Sequence, residues 1–301
     1  MRVRPPFPLG PPTWPTGVPR RPDPPRTGVH YDTAWSRRLP ARLARALVVD
    51  DVLRPAVRLL GWPRVEGVER LEGLAGPVIF APNHSSHLDT PLVLTSLPER
   101  FRHKAVVAAA ADYFFPSRAR AAVSALAIGA IPMERTRVNR ASADLAADLL
   151  GRGWNLVIFP EGGRSPDGWG QDFRGGVAYL ALRCGVAVVP VHVSGTRRVL
   201  RRGRALPTPV GEPYGRGPGL RVRFDQPLRP APEDNARRFG ARIESAVAAL
   251  ADEASSDWWS ARCRAAAGRT PAMTGPVAAP WRRAWALDEG RRPAGTAPPW
   301  P

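Results

Sequence analysis

Segments with the composition of short β-strands alternate along this chain with segments of helical periodicity. The strand-like runs are Pro77–Ala81, Ala105–Ala109, Asn155–Phe159, Val186–Val193 and Leu220–Phe224. The helix-like stretches are Thr90–Leu97, Ser117–Ala127, Ser142–Leu150, Gly176–Cys184 and Pro232–Ala254. Strands that alternate with helices form βαβ units and a parallel sheet. The sequence therefore predicts an α/β fold, with a mostly parallel central sheet flanked by helices.

Composition excludes several classes of protein. The only two cysteines, Cys184 and Cys263, lie far apart and form no Cys-x-x-Cys pair, which excludes a disulfide scaffold and a thiolate zinc site. A mean hydropathy of −0.25 argues against a polytopic membrane protein. The net charge of +18 comes almost entirely from arginine. Abundant Arg together with abundant Ala, Gly and Pro indicates GC-rich coding, so part of this charge carries no functional message. The remaining surplus predicts attraction to polyanions, namely nucleic acid, anionic lipid or phosphorylated substrates.

Proline-rich ends bracket the part of the chain that carries the periodic pattern. Because proline lacks an amide donor and fixes φ, residues 1–34 are predicted to be a disordered tail. Residues 263–301 are rich in Ala, Pro and Arg and are predicted to be a loosely ordered C-terminal tail. A single domain is expected over 35–262, and it begins with an amphipathic helical segment at 35–61.

The amphipathic segment has two possible roles. Over 40–61, apolar residues recur at helical spacing with arginines between them, and Pro55 is expected to kink or split the helix. The helix either packs on the domain or lies on an anionic membrane, and it is too short and too charged to span one. The start of the chain has no apolar run typical of a secretory signal, so we expect a cytoplasmic protein at the membrane surface.

A histidine and an aspartate follow the first apolar run, in the motif NHSSHLD at 83–89. His84 and Asp89 can meet if His84 lies in the loop and Asp89 in the first turn of the next helix. Asp89 would then accept from one ring nitrogen and leave the other free as a general base. The alternative is that Ser86 and Asp89 form a capping box. His87 is a rival base, without a comparably spaced carboxylate, and is expected to be exposed.

Two further motifs carry groups suited to anions. In GAIPMERTR at 129–137, Arg135 follows an apolar segment, and a guanidinium can donate two parallel hydrogen bonds to a phosphate; the alternative is a solvated arginine. In FPEGGRSP at 159–166, Gly162 and Gly163 allow close backbone approach to an anion, Arg164 adds charge and Glu161 can anchor the loop. The alternative for this motif is an ordinary turn.

The ordered set NHSSHLD, GAIPMER, FPEGGRS and VVPVHVSGT resembles the four motifs of the glycerolipid acyltransferase family, typified by 1-acylglycerol-3-phosphate acyltransferases. The resemblance covers about residues 60–230 and makes the 35–262 unit an acyltransferase domain. It implies that His84 is the general base and Asp89 its orienting partner. It also implies substrate-binding roles for the residues of the other motifs: Gly129, Arg135, Glu161, Gly162, Arg164 and Pro190.

The resemblance implies transfer of a fatty acyl group from acyl-CoA or acyl carrier protein to a lysophospholipid, 1-acyl-sn-glycerol-3-phosphate, in phospholipid biosynthesis. It implies no metal, no organic cofactor and no nucleic acid, with an anionic membrane surface as a partner. Gly163, Glu134 and the absence of a lysine near Ala111 depart from the family pattern, so another lysolipid or a glycolipid stays open as acceptor. Two alternatives come from other classes: a basic nucleic-acid-binding protein and a catalytically silent membrane-binding protein.

Overall fold

The computed structural model of the chain describes residues 27–134, 140–201, 203–204, 206–211 and 218–275. Seven strands form one sheet in the order β1-β7-β6-β2-β5-β3-β4. The strands are β1 (Arg64–Glu66), β2 (Val78–Pro82), β3 (Ala105–Ala110), β4 (Ala130–Met133), β5 (Asn155–Val157), β6 (Ala187–Ser194) and β7 (Arg221–Phe224). Every neighbouring pair is parallel except β6 and β7, which are antiparallel. The predicted α/β fold is confirmed.

Helices cover both faces of this sheet. They are α1 (Leu39–Leu47), α2 (Arg54–Gly61), α3 (Asp89–Ser96), α4 (Glu99–Arg102), α5 (Ala111–Phe114), α6 (Arg118–Ile128), α7 (Arg140–Gly151), α8 (Gly176–Cys184), α9 (Thr196–Val199), α10 (Ala236–Ser255) and α11 (Trp258–Ala266). Within the described residues, no helix is both long enough and apolar enough to cross a bilayer.

The central strand β2 shows how the sheet is buried on both faces. Val78 and Phe80 pack into the cluster formed with α3, whereas Ile79 and Ala81 pack into the cluster formed with α7, α8 and α10. Alternate residues of a strand point to opposite faces, so a strand covered on both sides is apolar throughout. This explains why the run after Pro77 has no polar residue until the strand ends.

Two strands were not predicted, and both are short. β1 has three residues at the sheet edge, and β4 lies inside a longer apolar stretch that begins with α6. Gly129 separates α6 from β4 by adopting a left-handed conformation, with φ of 65°. Such a helix end needs glycine because the conformation is strained for other residues. An apolar run alone does not show where a helix stops and a strand begins.

The amphipathic segment is helical from Leu39 to Gly61 and is divided into two α-helices just before Pro55. A π-helical stretch at Val48–Leu53 joins α1 to α2, so the chain stays helical through Pro55. A wider turn accommodates proline, which lacks an N–H and clashes with the carbonyl four residues earlier. One face of the segment packs on the domain through Val49 and Val57. The opposite face keeps large apolar side chains exposed, and these are Leu39, Leu43, Leu47, Val52, Leu59 and Trp62.

Ordered structure extends beyond both predicted boundaries of the domain. A helical turn at Gly28–His30 lies within the predicted tail at 1–34, and Gly28 N donates to Phe115 O at 2.8 Å. Helix α11 crosses the predicted boundary between residues 262 and 263. Residues 1–26 and 276–301, which hold most of the two predicted tails, lie outside the described residues.

Candidate functional site

The first motif places His84 and Asp89 in contact. Strand β2 ends at Pro82, and Asp89 is the first residue of α3, where it is completely buried. The Asp89 Oδ2 atom lies 2.9 Å from His84 Nδ1 and also accepts from the backbone N–H groups of Ser85 and Ser86. With Nδ1–H donating to the carboxylate, the lone pair of the imidazole is on Nε2. This is the arrangement that a general base requires.

The alternative interpretation of this motif, a capping box, is only half present. The Asp89 carboxylate accepts from Ser86 N at 2.8 Å, as a capping box requires. Ser86 Oγ accepts from Leu88 N at 3.2 Å, whereas Asp89 N donates to the carbonyl of Ser86. The Asp89 carboxylate therefore holds the loop and the imidazole together without a complete capping box.

Glu161 of the third motif ties that motif to the first. Its Oε1 atom accepts from His84 N at 2.7 Å, and Oε2 accepts from Gln171 N at 2.9 Å. Ser165 N donates to His84 O at 2.9 Å, so the backbone of His84 is held on both sides. Burial raises the pKa of Glu161 to about 7, against the opposite effect of the two backbone hydrogen bonds. Glu161 thus anchors the loop, one of the roles that the sequence allowed.

The fourth motif is tied to the first through Asn83. Its side chain donates to Val193 O at 3.0 Å and accepts from Val193 N at 2.7 Å, which fixes the end of β6 against the loop after β2. Ser85 Oγ lies 3.0 Å from Thr196 Oγ1. Pro190 is buried within β6 opposite Ala81, away from the cavity described next. Pro190 thus occupies a position in the sheet and is not among the residues that line this cavity.

One cavity of about 360 Å³ is lined by the described parts of the first three motifs. His84, Met133, Glu134, Gly162, Gly163 and Arg164 all contribute to its wall. This size is within the range of small-molecule sites. Deeper parts of the wall are apolar and come from β3, the end of α6 and the end of β5, namely Val107, Ala108, Ala109, Ile128 and Ile158. The cavity thus joins a candidate base, guanidinium groups and an apolar interior.

His87 also lines this cavity, which corrects the expectation that it is exposed. Its ring stacks on Tyr113 at 4.8 Å between centroids and meets the edge of Phe114. Burial lowers the pKa of His87 to about 4, and the nearby charges of Arg164 and His84 act in the same direction. His87 is therefore a neutral side chain of the cavity wall near pH 7. His84 instead stacks on Phe159 at 4.0 Å.

The second motif is only partly described. Met133 and Glu134 reach the cavity, whereas Arg135 lies outside the described residues. Gly129, predicted to bind the acceptor, is the residue that ends α6 and is not among the cavity-lining residues. A side chain at 129 would start 2.7 Å from Nη1 of Arg45. Glycine at this position thus serves the chain turn and the close approach of Arg45.

The glycines of the third motif allow another arginine to approach. Gly162 has φ of 70°, and a Cβ there would lie 2.8 Å from Nε of Arg174. Arg174 N donates to Pro160 O at 2.9 Å, and the residue lines the cavity. The guanidinium of Arg164 lies 5.8 Å from the ring centroid of Tyr113, which is also in the wall. Two arginines are thus held beside the Gly162–Gly163 turn.

Arg174 and Tyr113 were not identified from the sequence. Tyr113 lies in α5, a single helical turn after β3, and Arg174 precedes α8 in a run of polar and glycine residues. An arginine in an arginine-rich chain is a weak signal. The available signal was its position: Arg174 lies just before Gly175, Gly176 and a predicted helix, and helix starts attract anions.

The loop that follows the third motif is held by the C-terminal part of the described chain. Gly170 N donates to Met273 O at 2.9 Å, and Gly275, with φ of 72°, packs against the ring of Trp169. A side chain at 275 would start 2.3 Å from Cδ2 of Trp169.

Among the described residues, no group of histidine, cysteine and carboxylate side chains is arranged to hold a metal ion.

Residues 63–194 match the protein-family model described as Acyltransferase. This stretch of the chain is similar to an acyltransferase domain. The match supports the predicted resemblance to glycerolipid acyltransferases, and it contains the first three motifs in full and the fourth up to Ser194.

Curated proteins that are similar to part of this chain are named 1-acyl-sn-glycerol-3-phosphate acyltransferases. A chloroplast 1-acyl-sn-glycerol-3-phosphate acyltransferase of Arabidopsis thaliana is 31% identical over 142 residues, which cover 46% of this chain and 38% of that protein. A chloroplast protein of the same name from Brassica napus is 28% identical over 142 residues, or 46% of this chain and 39% of that protein. The chain thus spans about four tenths of the length of these relatives.

A solved structure shares the fold of this chain. The crystal structure of the 1-acyl-sn-glycerophosphate acyltransferase PlsC from Thermotoga maritima superposes with a TM-score of 0.52 and 21% identity. The match covers 72% of this chain and 81% of that protein. At this identity the similarity establishes the architecture of the domain, and the chemistry has to be argued from the residues of this chain.

Proposed function

We propose that this protein transfers a fatty acyl group from a thioester to the free hydroxyl of a lysophospholipid, 1-acyl-sn-glycerol-3-phosphate, in phospholipid biosynthesis. The observation that carries the proposal is the 2.9 Å contact of His84 Nδ1 with buried Asp89, at the wall of a cavity that two arginines share. The names of the curated relatives support the same acceptor. The acyltransferase unit is proposed to comprise residues 35–262.

His84 is the general base in this proposal. The lysolipid hydroxyl oxygen attacks the thioester carbonyl carbon while its proton passes to His84 Nε2. The carbon–sulfur bond then breaks, and the leaving thiolate takes the proton from the imidazolium. Ester and thiol are the two products, so no residue is acylated and no co-reactant is consumed. Asp89 keeps Nδ1 protonated and stabilises the imidazolium, which contributes to a general-base effect of about 10²–10⁴-fold.

Guanidinium groups bind the acceptor phosphate and so place its hydroxyl. Arg164 and Arg174 line the cavity on the same loop system as Gly162 and Gly163, whose backbone allows close approach of an anion. The resemblance adds Arg135 to this group. Two cations suit a phosphate monoester, which carries close to two negative charges at pH 7. A fixed phosphate converts the attack into a positioned, nearly unimolecular step.

The apolar interior of the cavity accommodates an acyl chain. Val107, Ala109, Ile128 and Ile158 line it without a charged side chain among them. The thioester donor is either acyl-CoA or acyl carrier protein, since both deliver the same acyl group. The protein is proposed to work in the cytoplasm at an anionic membrane surface, because its lipid substrate resides there and α1 exposes Leu39, Leu43 and Leu47.

Replacement of His84 tests the proposed chemistry. In the purified full chain, His84→Ala is expected to lower turnover at least about 100-fold, because the hydroxyl loses its base. Thiol release is measured with acyl-CoA and with acyl carrier protein as donors, and the lipid products of a lysolipid panel are identified by mass spectrometry. His30→Ala is the matched control, since His30 is exposed and does not line the cavity.

Two results would contradict this function. A folded His84→Ala protein with the turnover of the wild type would exclude His84 as the base. A wild-type protein that forms no new ester with any lysolipid or glycolipid acceptor would exclude acyl transfer to these lipids. Transfer to an acceptor that has no phosphate would retain the chemistry and correct the acceptor.

A further inference from the structure

A cluster of buried cations lies between the N-terminal helices and the domain, outside the catalytic cavity. Arg42 and Arg45 reach inward from α1, and Arg102 reaches the same place from α4. They line a small separate cavity together with His103 and apolar side chains of α3 and α6. Arg45 is 5% exposed and Arg102 is 8% exposed. Neither the sequence motifs nor the proposed reaction uses these residues.

The charges of this cluster are poorly compensated by the protein. Asp50 pairs with Arg102 at 2.9 Å and lies 3.6 Å from His103. In the described ranges, no carboxylate lies within ion-pair distance of Arg45, and neither Nη1 nor Nη2 of Arg45 has a protein hydrogen-bond acceptor. Trp154 offers only its ring face, 5.5 Å from Arg42 and 5.9 Å from Arg45. A buried cation without such partners is costly.

The charges around Arg45 can be counted, and they leave an excess of positive charge. Three guanidinium groups line the cavity and Asp50 is the carboxylate paired with them, which leaves about two positive charges when His103 is neutral. Outside this group, Arg54 lies 3.9 Å from Asp50 and Glu99 lies 3.6 Å from His103, so these two add one charge of each sign. The carbonyl end of α6, beside Gly129, contributes only about half a negative charge. Burial, together with the charges of Arg42 and Arg37, lowers the pKa of Arg45 to about 10. The remaining excess is between one and two charges.

We propose that this cavity binds a small inorganic anion of the size of chloride, held by Arg45 and Arg42 between α1, α3, α4 and α6. The cavity has room for at most about one water-sized occupant, which excludes a lipid headgroup. A chloride ion is somewhat larger than water, so its binding requires the guanidinium groups of Arg42 and Arg45 to shift outward. A single negative charge brings the cluster close to neutrality and gives Nη1 and Nη2 of Arg45 an acceptor. The anion fixes the N-terminal helical segment to the domain.

Thermal unfolding of the full chain at constant ionic strength tests the site, with sodium chloride replacing sodium gluconate. The Tm of the wild-type protein is expected to rise by about 2–5 °C at chloride about tenfold above the Kd, and to keep rising with the logarithm of the chloride concentration. Arg45→Met keeps the packing of the stem and removes the charge, so its Tm is expected not to respond. In gluconate this variant is expected to equal or exceed the wild type, because an uncompensated cation has been removed.

Arg58→Met is the matched control, since Arg58 is an exposed arginine of α2 outside the cluster. It should respond to chloride as the wild type does. If Arg45→Met fails to fold, Arg42→Met takes its place with the same expected loss of response. Crystals soaked in bromide provide a second measurement, with an anomalous peak expected beside the Arg45 guanidinium.

Three outcomes would overturn the proposal. An equal chloride response in the wild type and the Arg45 and Arg42 variants would mean a general salt effect. Bromide bound in the crystal without any Arg45-dependent change in Tm would mean an adventitious ion only. An Arg45-dependent response to phosphate at lower concentration than to chloride would show that the site takes an oxyanion.

Discussion

Asp89 shows how one carboxylate can serve folding and chemistry together. Its Oδ2 atom accepts from the imidazole of His84 and from two backbone amides, inside a completely buried environment. Hydrogen bonds to the charged form compensate the loss of hydration of the carboxylate. The sequence predicted the contact from a spacing of five residues, and it was right because His84 is in the loop and Asp89 begins α3.

The proposed contact of Arg174 with the acceptor phosphate can be separated from the effect of the protein's overall positive charge. We expect Arg174→Gln to raise the KM for a lysophospholipid that carries a phosphate monoester about tenfold, because a charge-assisted hydrogen bond is lost. The KM for the thioester should change little. Initial rates at varied acceptor and donor concentrations measure both.

Arg183→Gln is the control for Arg174, because Arg183 is a solvent-facing arginine on α8 that pairs with Asp144. If Arg174→Gln raised both KM values equally, or raised the KM of a phosphate-free acceptor as much, a phosphate contact by Arg174 would be wrong.

His87 gives the protein a pH dependence in the acidic range. Its pKa in the folded protein is lowered to about 4, below the usual 6.5, so the unfolded chain binds more protons between these values. The free energy of unfolding is therefore expected to decrease as pH falls from 6.5 to 4. His87→Asn should have a smaller decrease over this interval, measured by urea unfolding at several pH values.

His30→Asn is the comparison for this measurement, because His30 is exposed. It should retain the full pH dependence of the wild type. An unchanged slope in His87→Asn, with the fold intact, would show that burial of His87 does not contribute to the acid sensitivity.

At the scale of elements, the N-terminal helical segment packs on the domain and also leaves apolar side chains exposed. Val49 and Val57 pack on the domain, whereas Leu39, Leu43 and Leu47 form an exposed stripe at four-residue spacing on α1. The helical spacing of the sequence places both groups of apolar residues on a helix, but it does not show which group packs on the domain. That assignment depends on the position of α3 and α6, which the segment itself does not encode.

The exposed stripe is expected to bind anionic membranes. Leu43→Ser combined with Leu47→Ser should weaken partitioning onto phosphatidylglycerol-containing vesicles about tenfold or more, if each leucine contributes about 1 kcal/mol by burial. Sedimentation of the protein with vesicles measures the partition coefficient.

Val123→Ser tests whether any exposed apolar residue would do, since Val123 on α6 is 66% exposed, as much as Leu47 at 63%. It should leave partitioning unchanged. Equal weakening by Val123→Ser, or wild-type partitioning by the double variant, would exclude the α1 stripe as the membrane-binding face.

At the scale of the whole molecule, the sheet explains why three distant motifs meet. Strands β2, β5 and β6 are adjacent and parallel, so the loops after Pro82, Val157 and Ser194 emerge at one edge. The alternation of strands and helices predicted this edge from the sequence. The sequence could not predict Arg174 or Tyr113, because their proximity arises from the folding of loops that have no periodic pattern.

The packing of Gly275 on Trp169 links the C-terminal end of the described residues to the candidate site. The Trp169 loop leads through Gln171 to Glu161, and Glu161 accepts from the backbone N–H of His84, the proposed base. A force or a bulky fusion applied beyond Gly275 would thus be expected to displace His84 through this short series of contacts. Any tag for purification or immobilisation of this protein belongs away from that end.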